Sequence, residues 1–260
     1  MYIPRHFATD ERQALKELLA LSPLVQLISV AEGSLIASAL PMLLIEDEDR
    51  LVLQGHFARP NDHWKHFDSS IDTLAIVTGP DAYISPSSYP SKAETHQVVP
   101  TWNYESVHAS GPLTIHDDPD WVLDLVTRLT NVHEDSKPTP WKVSDAPRDY
   151  IATRLRGIVG VEMVVTSLVA KAKLSQDKSD PDRLGAQRGL AAGSATDRLV
   201  AQRMAGLPEE QVSLKHTNPA LGGVFGIRVG VASWWRDAEQ LVPTKPNPGP
   251  GLPLMGPRGE

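Results

Sequence analysis

The sequence predicts a mainly β fold with peripheral helices (α+β), built around an antiparallel barrel. Three observations carry that expectation. The apolar runs 24–30, 35–45 and 51–57 follow one another with brief polar turns between them, the pattern of a meander that begins a barrel. Ile158 to Val169 is the strongest β run of the chain, rich in valine and isoleucine. The polar stretch between, Gly79 to His108, holds Pro80, Pro86, Pro90 and Pro100, so no long helix crosses it.

In chain order, Asp10 with Gln13 forms a capping box for a helix to about Leu21, with Leu15, Leu18 and Leu19 on its apolar face. Pro23 stops it. Leu24 to Val30 is a strand, Glu32-Gly33 a turn, and Leu35 to Ile45 a second strand bent at Pro41. The acidic run Glu46 to Asp49 reads as a solvated hairpin turn before a third strand, Leu51 to Phe57. Asn61 caps a short helix carrying Trp64 and Phe67. Thr73 to Thr78 is a short strand, and Val98 to Ile115 a long one broken near Gly111-Pro112. Asp118-Pro119 starts a helix to about Glu134, with Trp121, Leu125, Val126 and Leu129 inward. A linker, Lys137 to Pro147, precedes a helix from Arg148 to Arg156. Helices also open at Asp180-Pro181 and Ser194. These elements assign 1–207 to one domain. Residues 208–242 form an extension of unknown structure; its part from Asn218 to Trp235 suits a hairpin, or a segment ordered by a partner. Residues 243–260, with six prolines and four glycines, form a flexible tail.

At 260 residues the chain can bury a sizeable core. Hydrophobic residues are 41% and charged residues 22%, a globular composition. The 32 acids exceed the 25 lysines and arginines, for a net charge of -7. That balance argues against a general nucleic-acid binder and leaves room only for a local basic patch. With no cysteine, disulfides, thiolate catalysis, iron–sulfur clusters and zinc–thiolate sites are excluded. The N-terminal stretch lacks a signal-type apolar segment, and no apolar run approaches the roughly 20 residues of a membrane span. The expected location is cytoplasmic, with no membrane partner.

The residues of chemical interest fall in three places. Between Gly79 and His108, Tyr83, Tyr89, Trp102 and Tyr104 alternate with Ser85, Ser87, Ser88, Ser91, Lys92, Thr101 and Asn103. Flat rings, hydroxyls and one cation in a proline-stiffened loop suit a planar, anionic small molecule; the same residues could equally cover a barrel end. The run Gly55 to Phe67 brings His56, Arg59, Asn61, His63 and His66 within eleven positions. Arg59 beyond a strand end suits an anion. His63 and His66 could share a helical face, but no third ligand falls at a convincing spacing for a metal. His56, on a strand beside glycine, is either a satisfied structural residue or an axial base for haem iron. Past the last strong β run come Lys171, Lys173, Ser175, Gln176 and Lys178, which suit a phosphate or simply a solvated strand exit.

Several blocks in order, MYIPRHF, GHFARPNDHW, GPDAYISPSSYPSKAETHQVVPTWNYESVHASG, DDPDWVLDLVTRLTNVHE, PWKVSDAPRDYI, RGIVGVE and KLSQDK, resemble the FMN-binding negative transcriptional regulators, the PaiB-like family. The match covers about 1–205. It implies an FMN-binding split barrel, a homodimer with cofactor sites at the subunit interface. Where that family shows KWKLSQN, this chain has Ala172 between Lys171 and Lys173, and Asp177. Nothing after about Leu207 matches. The expected cofactor site draws on His56, Arg59, Asn61, Ser85, Ser88, Tyr89, Lys92, Trp102, Asn103, Tyr104, Lys173 and Ser175. The expected function is a flavin-linked redox or regulatory role. The resemblance extends to the piperazate synthases, haem enzymes that close an N–N bond on an N-hydroxylated ornithine; there haem b replaces FMN and His56 binds the metal. A transcription regulator with no bound cofactor is the third alternative.

Overall fold

The computed structural model describes residues 1–47 and 50–207. The extension 208–242, the tail 243–260 and positions 48–49 of the expected acidic turn lie outside the described residues. Helix α1 (Glu11–Leu21) begins on its expected cap, the Asp10 carboxylate accepting from Gln13 N at 2.9 Å. The strands are β1 (Leu24–Ala31), β2 (Ser34–Asp47), β3 (Arg50–Ala58), β4 (Thr73–Ile84), β5 (Thr101–Gly111), β6 (Leu113–His116), β7 (Ile158–Val164) and β8 (Ser167–Lys173). Between them lie the single-turn helices α2 (His63–His66) and α3 (Lys92–Thr95), then α4 (Pro119–Glu134) and α5 (Arg148–Leu155). Helices α6 (Asp180–Ala191) and α7 (Ala195–Ala205) follow β8, and α4 and α6 each begin with proline in the first turn after a capping Asp or Ser.

The eight strands form one antiparallel sheet in the order β6-β7-β3-β2-β1-β4-β5-β8. It curls until β5 comes up to β7, far apart in that order, and the connector between β7 and β8 is held on both sides: Thr166 N donates to Ser110 O of β5 at 2.8 Å, and Val165 N to Leu51 O of β3 at 2.9 Å. Gly111 belongs to this seam; a Cβ there would sit 1.8 Å from Val164 O. The chain crosses the seam twice, through Pro112 into β6 and through Val165-Thr166 into β8. This is a split barrel. One core fills it, with Leu27, Met42, Leu53, Phe57, Val77, Val107 and Met163 from the strands and Leu15 and Leu18 from α1. A second core under α6 and α7 joins Ala82, Ile84, Tyr89, Leu174, Leu190, Val200 and Met204.

Two sequence expectations require correction. The run Ile158–Val169 is not one strand but the hairpin β7–β8. The stretch from Gly79 is not all loop: β4 continues to Ile84, with a register shift between Thr78 and Asp81 where Pro80 cannot donate to the ladder.

Candidate functional site

Alternation along β5 sorts its residues. Asn103, Glu105, Val107 and Ala109 point inward; Trp102, Tyr104, Ser106 and His108 point outward. The register sets Tyr83 beside Trp102, Asp81 and Lys173 beside Tyr104, and Lys171 beside Ser106. Rings and ammonium groups therefore gather on the outer face of β4, β5 and β8. Tyr83 and Trp102 meet edge to face at 5.9 Å while staying 49% and 53% exposed. The Lys171 ammonium lies 5.2 Å from the Tyr104 ring centroid and 5.9 Å from that of Phe7. Lys173 donates to Thr101 Oγ1 and to the Trp102 carbonyl, and burial pushes its pKa down. A groove of about 380 Å³, opened by the irregularity at Gly79, is lined by Thr78, Asp81, Trp102, Tyr104 and Ser106 among others.

The inward residues hold this face from behind. Asn103, fully buried, donates to Ser175 Oγ at 3.0 Å and to the Met204 sulfur at 3.4 Å. Ser175 takes φ +67° to reach it. Arg203 of α7 grips the Glu105 carboxylate at 2.7 and 2.8 Å and reaches Glu17 of α1 at 2.6 Å. Asn103 and Ser175 thus brace the strand and do not face the groove.

Beyond β4, the turn 85–91 leans on α6. Ser91 donates through N and Oγ to Asp182 at 3.0 and 2.8 Å. Ser88 packs where Gly185 and Gly189 leave room. Tyr89 is buried, its hydroxyl without a partner, and burial, then Asp177 and Asp182, push its pKa up to about 12. Ser85 Oγ accepts from Ser87 N at 3.2 Å. Lys92 and Ser87 are exposed, and the ammonium donates to Ser87 Oγ at 3.0 Å. These two remain open to an anion.

His56, Arg59 and Asn61 stand apart from both groups. Arg59 spends its guanidinium on both oxygens of Asp117 and on the carbonyls of Arg156 and Ile158. It must exchange Asp117 to hold another anion. Asn61 donates to Ser38 Oγ at 3.0 Å and accepts from His63 N at 2.9 Å, but the N-cap of α2 is Asp62 rather than the expected Asn61, and Phe67 lies just past the helix. His63 and His66 share no metal face. His63 is buried between the Ser38 and Ser29 hydroxyls at 3.0 and 2.9 Å, while His66 is exposed. Among the described residues no group of three or more His, Asp or Glu could hold a metal ion.

His56 is opposite Gly160 on β7, and a Cβ at Gly160 would lie 2.2 Å from the Trp121 ring of α4. Two positions before it, Gln54 binds Arg128 of α4 at 2.8 Å. His56 therefore faces the helix-covered side of the sheet. Its Nδ1 is buried without a partner, burial lowers its pKa, and it lines neither the groove nor the larger cavity beneath α4 and α5.

The family described as "Putative FMN-binding domain" matches residues 1–167. "Protease synthase and sporulation protein PAI 2" of Bacillus subtilis (strain 168) is 28% identical over 212 residues, 82% of this chain and 98% of that protein. An uncharacterized protein of Saccharomyces cerevisiae is 32% identical over 157 residues, 53% of this chain and 93% of that one. Among solved structures, the FAD and heme binding protein from Mycobacterium smegmatis aligns over 72% of this chain and 80% of its own, with 15% identity and a TM-score of 0.47.

Proposed function

The chain belongs to the FMN-binding domain family, and on that premise we propose that it binds FMN on the outer face of β4, β5 and β8 for a redox or regulatory role. One observation carries the placement: Tyr83 and Trp102 stand half-exposed beside a groove that also contains Tyr104, with lysines along its edge. Adjacent half-exposed rings beside a groove offer a stacking surface for a planar ligand. The isoalloxazine lies on this platform. Its phosphate meets Lys92 and the Ser87 hydroxyl, with Lys173 alongside. Bound FMN supplies hydride or single-electron transfer at its ring; the protein binds it, orients it and excludes water.

A second copy of the chain completes the site. The same outer face carries Leu24, Leu35, Tyr83 and Trp102, all exposed, and a partner of the same fold covers such a face in a homodimer. The unit that binds and pairs is 1–207. The sporulation and protease synthesis in the name of the B. subtilis relative make the regulatory branch the nearer one. Among the described residues no helix is long and apolar enough to cross a membrane. We place the protein in the cytoplasm, with nucleic acid reached only through a local patch.

The test is the absorption spectrum of the purified protein, before and after denaturation releases its chromophore. A flavin spectrum with release of FMN is expected, and His56→Ala should leave it in place. A protein that neither carries FMN nor takes it up would sink this reading. A Soret band lost in His56→Ala would move the assignment to haem.

A further inference from the structure

A cavity larger than that groove lies away from the aromatic platform. It measures about 1180 Å³ and is a half-open cleft between α4, the linker after it, α5 and the start of β7. The apolar part of its wall is Val122 and Leu123 from α4, Val143 from the linker, Ile151 and Leu155 from α5, and Ile158 from β7. Helix α5 explains the space. None of its residues is buried, so it spans the cavity without filling it.

The charges at its rim separate into used and unused. Arg59 and Asp117 neutralise each other. Asp118 caps α4, accepting from Asp120 N at 3.0 Å, and Asp120 sits in that helix's first turn, where a carboxylate is favoured. Arg156 donates to Thr153 Oγ1 at 3.0 Å. Lys142 and Arg148 line the cavity with no side-chain acceptor among the described residues, against the single remaining acid Asp135.

We propose that this cavity is a second ligand site, for a small molecule with an apolar body and one carboxylate, whose carboxylate meets Lys142 and Arg148. The assignment does not depend on where flavin binds. The test uses full-length protein, decanoate as the probe and anilinonaphthalene sulfonate fluorescence as the reporter, with FMN-loaded and FMN-free samples compared. Decanoate should displace the dye with one site per chain, equally in both samples. Ala152→Trp fills the cavity from an exposed position, and it should abolish that site. Arg148→Glu, also at an exposed position, should weaken decanoate at least tenfold with thermal stability unchanged. Decylamine should not compete. Equal competition by decylamine, or decanoate binding unchanged in Arg148→Glu, overturns the anionic assignment. Binding that survives Ala152→Trp overturns the site. Displacement of the dye by stoichiometric FMN would put the flavin in this cavity and overturn its standing as a second site.

Discussion

Two residues show what single positions contribute. Lys92 is exposed with only Ser87 as partner, so it can turn to a phosphate without breaking the fold. A charged hydrogen bond is worth about 1.5–3 kcal/mol, so Lys92→Ala should weaken FMN binding by roughly ten- to a hundredfold. Fluorescence titration of the apoprotein checks this, and unchanged affinity would remove Lys92 from the site. His56 illustrates the opposite case. Burial lowers its pKa, and that of His63, below the ordinary value of 6.5. The folded state then binds fewer protons than the unfolded one, so stability falls as pH drops through about 6.5 and levels off below the folded pKa values. Urea midpoints at pH 7.5 and 5.5 should show the loss, and His56→Gln should shrink it. The residue types of the 79–108 stretch suggested a planar, anionic ligand, but its strand geometry was not readable from them. Asn103 and Glu105 point inward and Trp102 and Tyr104 outward, which inverts the usual alternation. Buried partners on β8 and α7 decide that inversion, and no local pattern announces them.

At the scale of elements, the helix starts were plain because caps and prolines are local signals; Asp10, Asp118 and Ser194 all cap as expected. The β7–β8 hairpin was hidden because Val165-Thr166 holds no glycine, proline or asparagine. Backbone bonds across the seam make that turn, and they come from residues more than fifty positions away. Helix α4 is seated through Gly160, where the Trp121 ring, stacked on His116 at 4.0 Å, fills the missing side chain. Gly160→Ala forces ring against methyl. It should cost about 1–3 kcal/mol and lower Tm by several degrees, with part of the loss restored by Trp121→Leu in the same chain. Scanning calorimetry of the two variants decides whether this contact holds the helix.

For the whole molecule, the order of apolar runs was enough to foresee an antiparallel barrel, and the family resemblance its split form; the pairing of β3 with β7 across about a hundred residues was not. A chain that pairs through the outer face should run as a dimer in light scattering at micromolar concentration, and Trp102→Asp should shift it toward monomer. A monomeric wild type would leave Tyr83 and Trp102 without the proposed cover. The double crossing of the seam also bears on the order in which the molecule can assemble. Strands β1 to β4 pair with near neighbours and can form while the rest is still being synthesised. Closure waits for β7 and β8, because β5 and β3 find their last partners only there. Until residue 173 emerges, β3 and β5 are open edges on a growing polypeptide, so the interval between them is when this protein is most exposed to misassociation and most dependent on chaperones.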